Sequence, residues 1–160
     1  MTQSESTPLG NDTNKKFFTL DEARRSLPYV SRIVGDIVAC YQGVLDARNH
    51  LEMPQPTDDV DEVKRVYDDG MSRLNGLVQE VKEVGVELKD FERGLVDFPA
   101  MHDGREINLC WHHGEDTIVA WHEVDSGYSG RQDVTLLEPI GAGAGGMDSE
   151  DDLGLGDVNN

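Results

Sequence analysis

Long hydrophobic runs are absent from this chain of 160 residues, and cysteines are few. No apolar run approaches the roughly 18 residues that a membrane-crossing helix needs. The first residues, MTQSESTPLGNDTN, have neither the apolar stretch nor the basic lead of a secretory signal. The two cysteines, Cys40 and Cys110, are too few for a disulfide framework. We therefore expect a cytoplasmic protein whose thiols are both reduced.

Basic residues are also scarce, with 14 Lys and Arg against 32 Asp and Glu, which gives a net charge of −18. Such a charge repels phosphate backbones, and no basic cluster offsets it, so we expect no nucleic-acid partner. Because no segment is apolar enough to span a bilayer, no membrane association is expected either. The acidity remains compatible with a protein partner, above all a basic one.

Both ends of the chain have compositions that are typical of disorder. The N-terminal residues are mostly polar, and the C-terminal GAGAGGMDSEDDLGLGDVNN combines glycines with acidic residues and has no basic one. Neither segment carries enough apolar surface to offset the entropy lost on ordering. We predict a disordered N-terminus over 1–16, one domain over 17–135, and a disordered, acidic, glycine-rich tail over 136–160.

The first half of the domain has the apolar spacing of two helices. Thr19 followed by Glu22 is a capping-box pattern at the start of the first helix, and Pro28 either kinks that helix or marks where its main part begins. The segment MPQPT ends it, and the second helix begins after Thr57 and ends at Gly85. The apolar residues recur at intervals of three and four: Leu27, Val30, Val34, Ile37, Tyr41, Val44 and Leu51, then Val60, Val63, Tyr67, Leu74, Leu77, Val81 and Val84.

Matching stripes and a short connection predict an antiparallel helical hairpin over 19–85. A first helix of about 30 residues is roughly 45 Å long, which is more than a small sheet covers. Part of the hairpin therefore projects as a coiled coil or pairs with a second copy in a homodimer. Its acidic tip, residues 52–62, resembles in architecture the transcript-cleavage factors that enter the secondary channel of bacterial RNA polymerase, without their sequence signature. The alternative is that the acidic residues stabilise the start of the second helix.

After the second helix the apolar period becomes alternating, which predicts strands near 86–89, 94–100, 105–112 and 117–124. HDG at 102–104 is a turn, and HHGEDT suits a two-residue turn made by Gly114 and Glu115. The predicted fold is α+β: an N-terminal antiparallel helical hairpin, coiled-coil-like, packed on a small antiparallel sheet of three to four strands over 86–135.

The two-residue turn also fixes the register of the last hairpin, in which Ile107 pairs with His122. His122 then lies on the apolar face, where a buried neutral imidazole is expected and a general base is the alternative. Cys110 and Trp121 lie on the other face, so Cys110, His112 and His122 do not converge on one ion. We expect no metal and no cofactor in this register, although a loop of odd length would bring those three residues together.

Several charged residues near this hairpin have more than one interpretation. Arg131, in the tight loop GYSGRQ, either presents its guanidinium to an anion or forms an ion pair with Asp97, Glu115 or Glu123. Asp97 is the most obvious partner, because a carboxylate in an apolar strand needs one. Glu106 is expected opposite Glu123, where either one carboxyl has a raised pKa or both are solvated.

The motifs FTLDEARRSLPYV, GLVDFPA, DGREINLCW, GE, WHE and GYSGR, in this order, resemble the bacterial domain of unknown function family 2203 over about residues 17–134. The resemblance implies a cytoplasmic bacterial protein and assigns no role to any residue. His112 stands where the family pattern has a basic residue, so a ligand role for His112 does not follow from the family. The matching positions are Asp97, Phe98, Pro99, Gly104, Arg105, Cys110, Trp111, Gly114, Glu115, Trp121, His122, Glu123, Gly127, Gly130 and Arg131.

Three functional hypotheses follow. The first is a non-catalytic binding or regulatory module. The second is a small-ligand binder or an enzyme whose site surrounds Trp121, and the third is a polymerase-channel factor that uses the acidic tip. The chain lacks a phosphate-binding glycine loop, a serine nucleophile elbow and a zinc-ligand motif, which weakens the enzyme hypothesis and leaves catalytic residues unassigned. The candidate functional surface is Asp97, Arg105, Cys110, Glu115, Trp121, His122, Glu123 and Arg131.

Overall fold

The computed structural model describes residues 15–137, so the predictions of disorder for 1–14 and 138–160 lie outside the described residues. Two helices come first, α1 over Leu20–Glu52 and α2 over Val60–Val84, and they form the predicted antiparallel hairpin. Within 15–137, neither helix combines the length and apolarity that crossing a membrane would require.

Helix α1 begins with the predicted capping box. The Thr19 hydroxyl accepts a hydrogen bond from the Glu22 backbone N–H, and the Glu22 carboxylate accepts one from the Thr19 backbone N–H. The helix continues through Pro28 to Glu52, a length of 33 residues or about 50 Å. Pro28 therefore does not separate a first turn from the main helix. Its buried residues extend from Ala23 to Ala47. Those up to Ile37 belong to the core that α1 shares with α2 and the sheet.

The hairpin tip and the end of α2 follow from local hydrogen bonds. Asp59 caps the start of α2 by accepting from the Glu62 backbone N–H, and Gly85 caps its end in a left-handed conformation, as expected. Asp58 accepts from the backbone N–H of Gln55 and contacts the His50 ring. The acidic residues of the tip thus serve the chain reversal and the start of α2.

Within residues 15–137 the sheet has five antiparallel strands in the order β1-β2-β3-β4-β5, which is one more than the upper limit predicted. The additional strand is only two residues long and lies after the predicted strands. The strands are β1 Glu87–Asp90, β2 Leu95–His102, β3 Arg105–His112, β4 Ala120–Glu123 and β5 Gln132–Asp133. The β2–β3 turn is Asp103–Gly104, and both residues have positive φ, as a type I′ hairpin turn requires.

One hydrophobic core lies between the hairpin and one face of the sheet, which makes the fold α+β. Val96, Phe98 and Ala100 of β2 contribute alternate residues to it, as do Ile107, Leu109 and Trp111 of β3. The core also takes in Leu137, which follows a 3-10 helix at Val134–Leu136. The folded domain therefore extends beyond the predicted limit of residue 135.

The predicted register of β3 and β4 is wrong by one residue. Ile107 pairs with Glu123 rather than His122, and Asn108 pairs with His122. The connection is not a two-residue turn, because β3 ends at His112 and β4 begins at Ala120. A shift of one residue exchanges the faces of a strand. Trp121 therefore faces the helices, and His122 faces away from them.

Candidate functional site

The sheet face opposite the helices, here called the far face, carries the chemically versatile side chains. Asp97 in β2 pairs with Cys110 in β3, and Asn108 in β3 pairs with His122 in β4. Because directly paired residues and residues two apart share a face, all four side chains lie on the far face. Three adjacent strands thus supply one site at the middle of the sheet.

Asp97, Cys110 and His122 form a compact group, here called the far-face cluster. Their potential ligand atoms, one carboxylate oxygen, the Sγ atom and one ring nitrogen, all lie within 4.8 Å of one another. The Nε2 atom of His122 lies 3.0 Å from Oδ1 of Asp97, across the intervening strand β3. Exposed fractions of 2%, 0% and 3% for the three residues show that the cluster is buried.

The two ring nitrogens of His122 both face oxygen atoms. Nδ1 lies 2.7 Å from the carbonyl oxygen of Glu123, which can only accept a hydrogen bond, so Nδ1 carries a proton. The contact between Nε2 and Asp97 also requires a proton, which resides either on the ring or on the carboxyl group. His122 therefore forms hydrogen bonds with two oxygen atoms, and one proton lies between His122 and Asp97.

Burial controls the acidity of the other two members of the cluster. It raises the pKa of the Asp97 carboxyl above its usual value, and the hydrogen bond and charge of His122 oppose that rise. Burial, together with the nearby Asp97 charge, raises the pKa of the Cys110 thiol to about 12, although Arg131 opposes this. Cys110 is thus a neutral thiol at physiological pH unless something replaces its proton.

Arg131 lies next to the cluster and contacts the backbone of Cys110. Its Nη2 atom lies 3.0 Å from both carboxylate oxygens of Glu115 and 3.3 Å from the carbonyl oxygen of Cys110. The guanidinium also lies over the Tyr128 ring, 5.0 Å from its centroid. The predicted ion pair of Arg131 therefore forms with Glu115. Asp97, which seemed the most obvious partner, bonds instead to His122 because the register differs.

The remaining candidates lie elsewhere. Arg105 and Glu123 form an exposed ion pair of 2.7 Å, and Trp121 belongs to the hydrophobic core. Glu106 does not face Glu123 but binds Lys15. Of the eight residues of the candidate surface, three therefore form the cluster, two form the adjacent ion pair of Arg131, and three take no part in it.

Comparison with known proteins identifies the family of the chain. The model of the family described as "Uncharacterized conserved protein (DUF2203)" matches residues 16–134, which is 119 of 160 residues. The chain belongs to this family. Among curated proteins and among solved structures, no match was found. Asp97, Cys110 and His122 all lie within the residues that match DUF2203, and the sheet register brings them together in one cluster.

One further residue beside the cluster was not predicted from the sequence. Asn108 is 5% exposed, and its Oδ1 atom has no hydrogen-bond partner within 15–137. The same holds for the buried Nε of Arg131. A buried polar atom without a partner costs free energy, so these atoms mark unused bonding capacity beside the cluster. An asparagine between Ile107 and Leu109 was the available sequence signal, because a polar residue in an apolar strand needs a reason.

Proposed function

We propose that this DUF2203 protein is a non-catalytic binding module whose binding centre is the far-face cluster. The observation that carries the proposal is the convergence of Asp97, Cys110 and His122 within 4.8 Å on three neighbouring strands. A carboxylate, a thiol and an imidazole held on strands are preorganised for binding, because the sheet fixes their spacing. The unpartnered oxygen of Asn108 adds a further acceptor next to them.

The geometry supports binding rather than nucleophilic catalysis. Cys, His and Asp together resemble the composition of a catalytic triad, in which the histidine activates the thiol and the acid orients the histidine. Here Nε2 of His122 bonds to Asp97 and Nδ1 bonds to the backbone oxygen of Glu123. No ring nitrogen is left to take the proton of Cys110, and the thiol's pKa of about 12 keeps it protonated.

The other charged groups are consistent with structural roles. Arg131 and Glu115 are both mostly buried and neutralise each other, while Arg105 and Glu123 form an exposed pair away from the cluster. The tip carboxylates Asp58 and Asp59 accept backbone hydrogen bonds at the start of α2. These contacts favour the helix-capping interpretation of the tip over a polymerase-channel function.

Thermal melts in the presence of different ligand classes test the proposal. The panel comprises divalent metal ions, small carboxylates and phosphates, each present while the wild type and Asp97→Asn refold, because the cluster is buried in the folded chain. We expect one class to raise the melting temperature of the wild type, by a stabilisation of RT ln(1 + [L]/Kd), or about 2.7 kcal/mol at a concentration of 100 Kd.

The shift should disappear in Asp97→Asn and persist in Glu123→Gln, which changes an exposed carboxylate outside the cluster. If no class stabilises the wild type, or if Asp97→Asn keeps the full shift, the far-face cluster is not the binding centre. A steady turnover of an ester or peptide substrate that requires Cys110 would overturn the non-catalytic part of the proposal.

A further inference from the structure

We propose that the far-face cluster is a zinc site in which Asp97, Cys110 and His122 coordinate the ion. This inference rests on the proposed function and names its ligand. It contradicts the expectation from sequence that no metal binds. That expectation depended on a register that placed Cys110 and His122 on opposite faces, whereas the observed register places them on the same face. The third ligand is then Asp97, and His112 is not one of the three.

The donor set favours zinc over harder cations. Zn²⁺ is bound in proteins by thiolate sulfur, imidazole nitrogen and carboxylate oxygen, whereas Mg²⁺ and Ca²⁺ prefer oxygen ligands alone. The cluster supplies one ligand of each of the three types that zinc accepts. Three protein ligands leave one tetrahedral position. The Oδ1 atom of Asn108, which pairs with His122 on the same face, is buried and has no hydrogen-bond partner among residues 15–137.

The other contacts of His122 and Cys110 are also consistent with zinc binding. Nδ1 of His122 donates to the Glu123 carbonyl, which leaves Nε2 to bind the ion. A histidine ligand ordinarily donates its other ring N–H to an oxygen in this way, which fixes the orientation of the ring. The Nη2 atom of Arg131 lies 3.3 Å from the carbonyl oxygen of Cys110, and a cation beside a cysteine favours the thiolate that zinc requires.

Zinc binding at this cluster should release a definite number of protons. Zinc replaces the proton shared by Nε2 of His122 and Asp97, and it replaces the proton of the Cys110 thiol. Binding therefore releases two protons, one from each place, and the ion meets a carboxylate and a thiolate that neutralise its two charges. A site made by exposed carboxylates would release almost none at pH 7, because those groups are already ionised.

Zinc loading during refolding tests the inference, because the cluster is buried in the folded chain. The full-length protein is unfolded with a non-thiol reductant, refolded with one equivalent of Zn²⁺, desalted and analysed for bound metal. The matched control is Cys40→Ser, since Cys40 is the other thiol and donates a hydrogen bond to the Gly70 carbonyl in the hairpin. Circular dichroism verifies that each variant has folded.

We expect about one zinc per chain in the wild type and in Cys40→Ser, and at least a tenfold lower zinc content in Cys110→Ser and in Asp97→Asn. Refolding with Zn²⁺ in weakly buffered solution, compared with refolding without metal, should release two more protons per zinc bound. Equal zinc in wild type and Cys110→Ser overturns the inference and assigns the metal to surface carboxylates. A wild type that takes up no zinc, but is stabilised by a carboxylate or phosphate, overturns the zinc site and leaves the proposed binding function intact.

Discussion

At the scale of single residues, the two thiols of the chain differ most clearly in their environment. Cys110 is fully buried on the far face beside Asp97, whereas Cys40 is partly exposed in the helical hairpin. A buried thiol beside a carboxylate loses its proton with difficulty, because the thiolate would be poorly solvated and would face a second negative charge. The same thiol becomes an effective ligand once a cation replaces that proton.

Alkylation should therefore distinguish the two cysteines. At pH 8 a pKa of about 12 for Cys110 leaves roughly one thiol in ten thousand ionised, and burial blocks access in addition. We expect iodoacetamide to modify Cys40 in the native metal-free protein and to reach Cys110 only after unfolding. Peptide mapping by mass spectrometry measures both rates. Modification of native Cys110 at the rate of an unfolded peptide would contradict its described burial.

The Arg131–Glu115 pair gives a second prediction at this scale. Replacing Arg131 by Met leaves the Glu115 carboxylate mostly buried without its partner, and we expect a loss of about 3 kcal/mol in the free energy of unfolding. That figure is at the lower end for buried pairs, because the two side chains keep 18% and 16% of their surface exposed. Denaturant titration measures the loss.

The matched control for this pair is Arg105→Met, which removes one partner of the exposed pair with Glu123. Since solvent screens that pair, the variant should unfold close to the wild-type midpoint. An Arg131→Met protein that also unfolds at the wild-type midpoint would remove the structural role assigned to Arg131.

At the scale of elements, the β3–β4 connection sets the register of β4 and therefore determines which of its side chains lie on the far face. Alternation in β3 correctly predicted that Ile107, Leu109 and Trp111 enter the core. The turn could not be predicted from Gly114 alone, because its conformation depends on contacts of Glu115, one of which is with the distant Arg131. The Glu115 carboxylate accepts from the His112 backbone N–H and binds Arg131, and the Glu115 carbonyl accepts from the Trp111 indole.

The helical hairpin was more predictable than the sheet register for a physical reason. Its capping box, apolar stripes and end at Gly85 depend on residues within a few positions of one another. The register of β4 instead depends on contacts with residues distant in the sequence. The three members of the far-face cluster were all among the sequence candidates, but their meeting point follows only from that register.

Gly94, just before β2, is expected to tolerate substitution poorly. Its φ of +67° disfavours any L side chain, and a Cβ atom there would lie 2.7 Å from Cγ1 of Val34 and 2.9 Å from Cβ of His113. Gly104 has a similar φ of +77° but open space around it. Gly104→Ala should therefore cost about 1–2 kcal/mol from backbone strain alone, and Gly94→Ala about 1–3 kcal/mol more from overpacking.

Denaturant titration of these two variants compares their midpoints directly. Equal losses would show that the helix does not approach the start of β2 as closely as described, whereas a larger loss for Gly94→Ala supports the described contact between α1 and the sheet.

The hairpin tip should depend on pH through His50 and Asp58. The hydrogen bond and charge of Asp58, with a smaller contribution from Asp46, raise the pKa of His50 above 6.5. The backbone N–H of Gln55, and then His50, lower the pKa of Asp58 below 3.8. The stabilisation from His50 is complete below pH 6.5 and is lost as pH rises through its raised pKa. The stabilisation from Asp58 is complete above about pH 4 and is lost as pH falls through its lowered pKa.

The tip should therefore be most stable between about pH 4 and 6.5. NMR titration of the His50 ring in wild type and in Asp58→Asn tests this directly. We expect the His50 midpoint to fall in the variant. An unchanged midpoint would mean that the two side chains are not in contact in solution.

At the scale of the whole molecule, the two faces of the sheet have different roles. The helices cover one face of the sheet and bury the core, and the opposite face carries the cluster on the three adjacent strands β2, β3 and β4. Self-association through the hairpin, a protein partner and a cytoplasmic location stay predictions. None of them changes the ligand set of the cluster, which three strands of one chain supply.

X-ray absorption spectroscopy of the zinc-loaded protein directly tests the claim that Asp97, Cys110 and His122 form one binding centre. The predicted spectrum has one sulfur at about 2.3 Å and nitrogen or oxygen ligands at about 2.0–2.2 Å, with the multiple scattering of one imidazole. The sulfur contribution should vanish in Cys110→Ser and remain in Cys40→Ser. A wild-type spectrum with no sulfur, or with two, would contradict the claim, because the cluster contains a single cysteine.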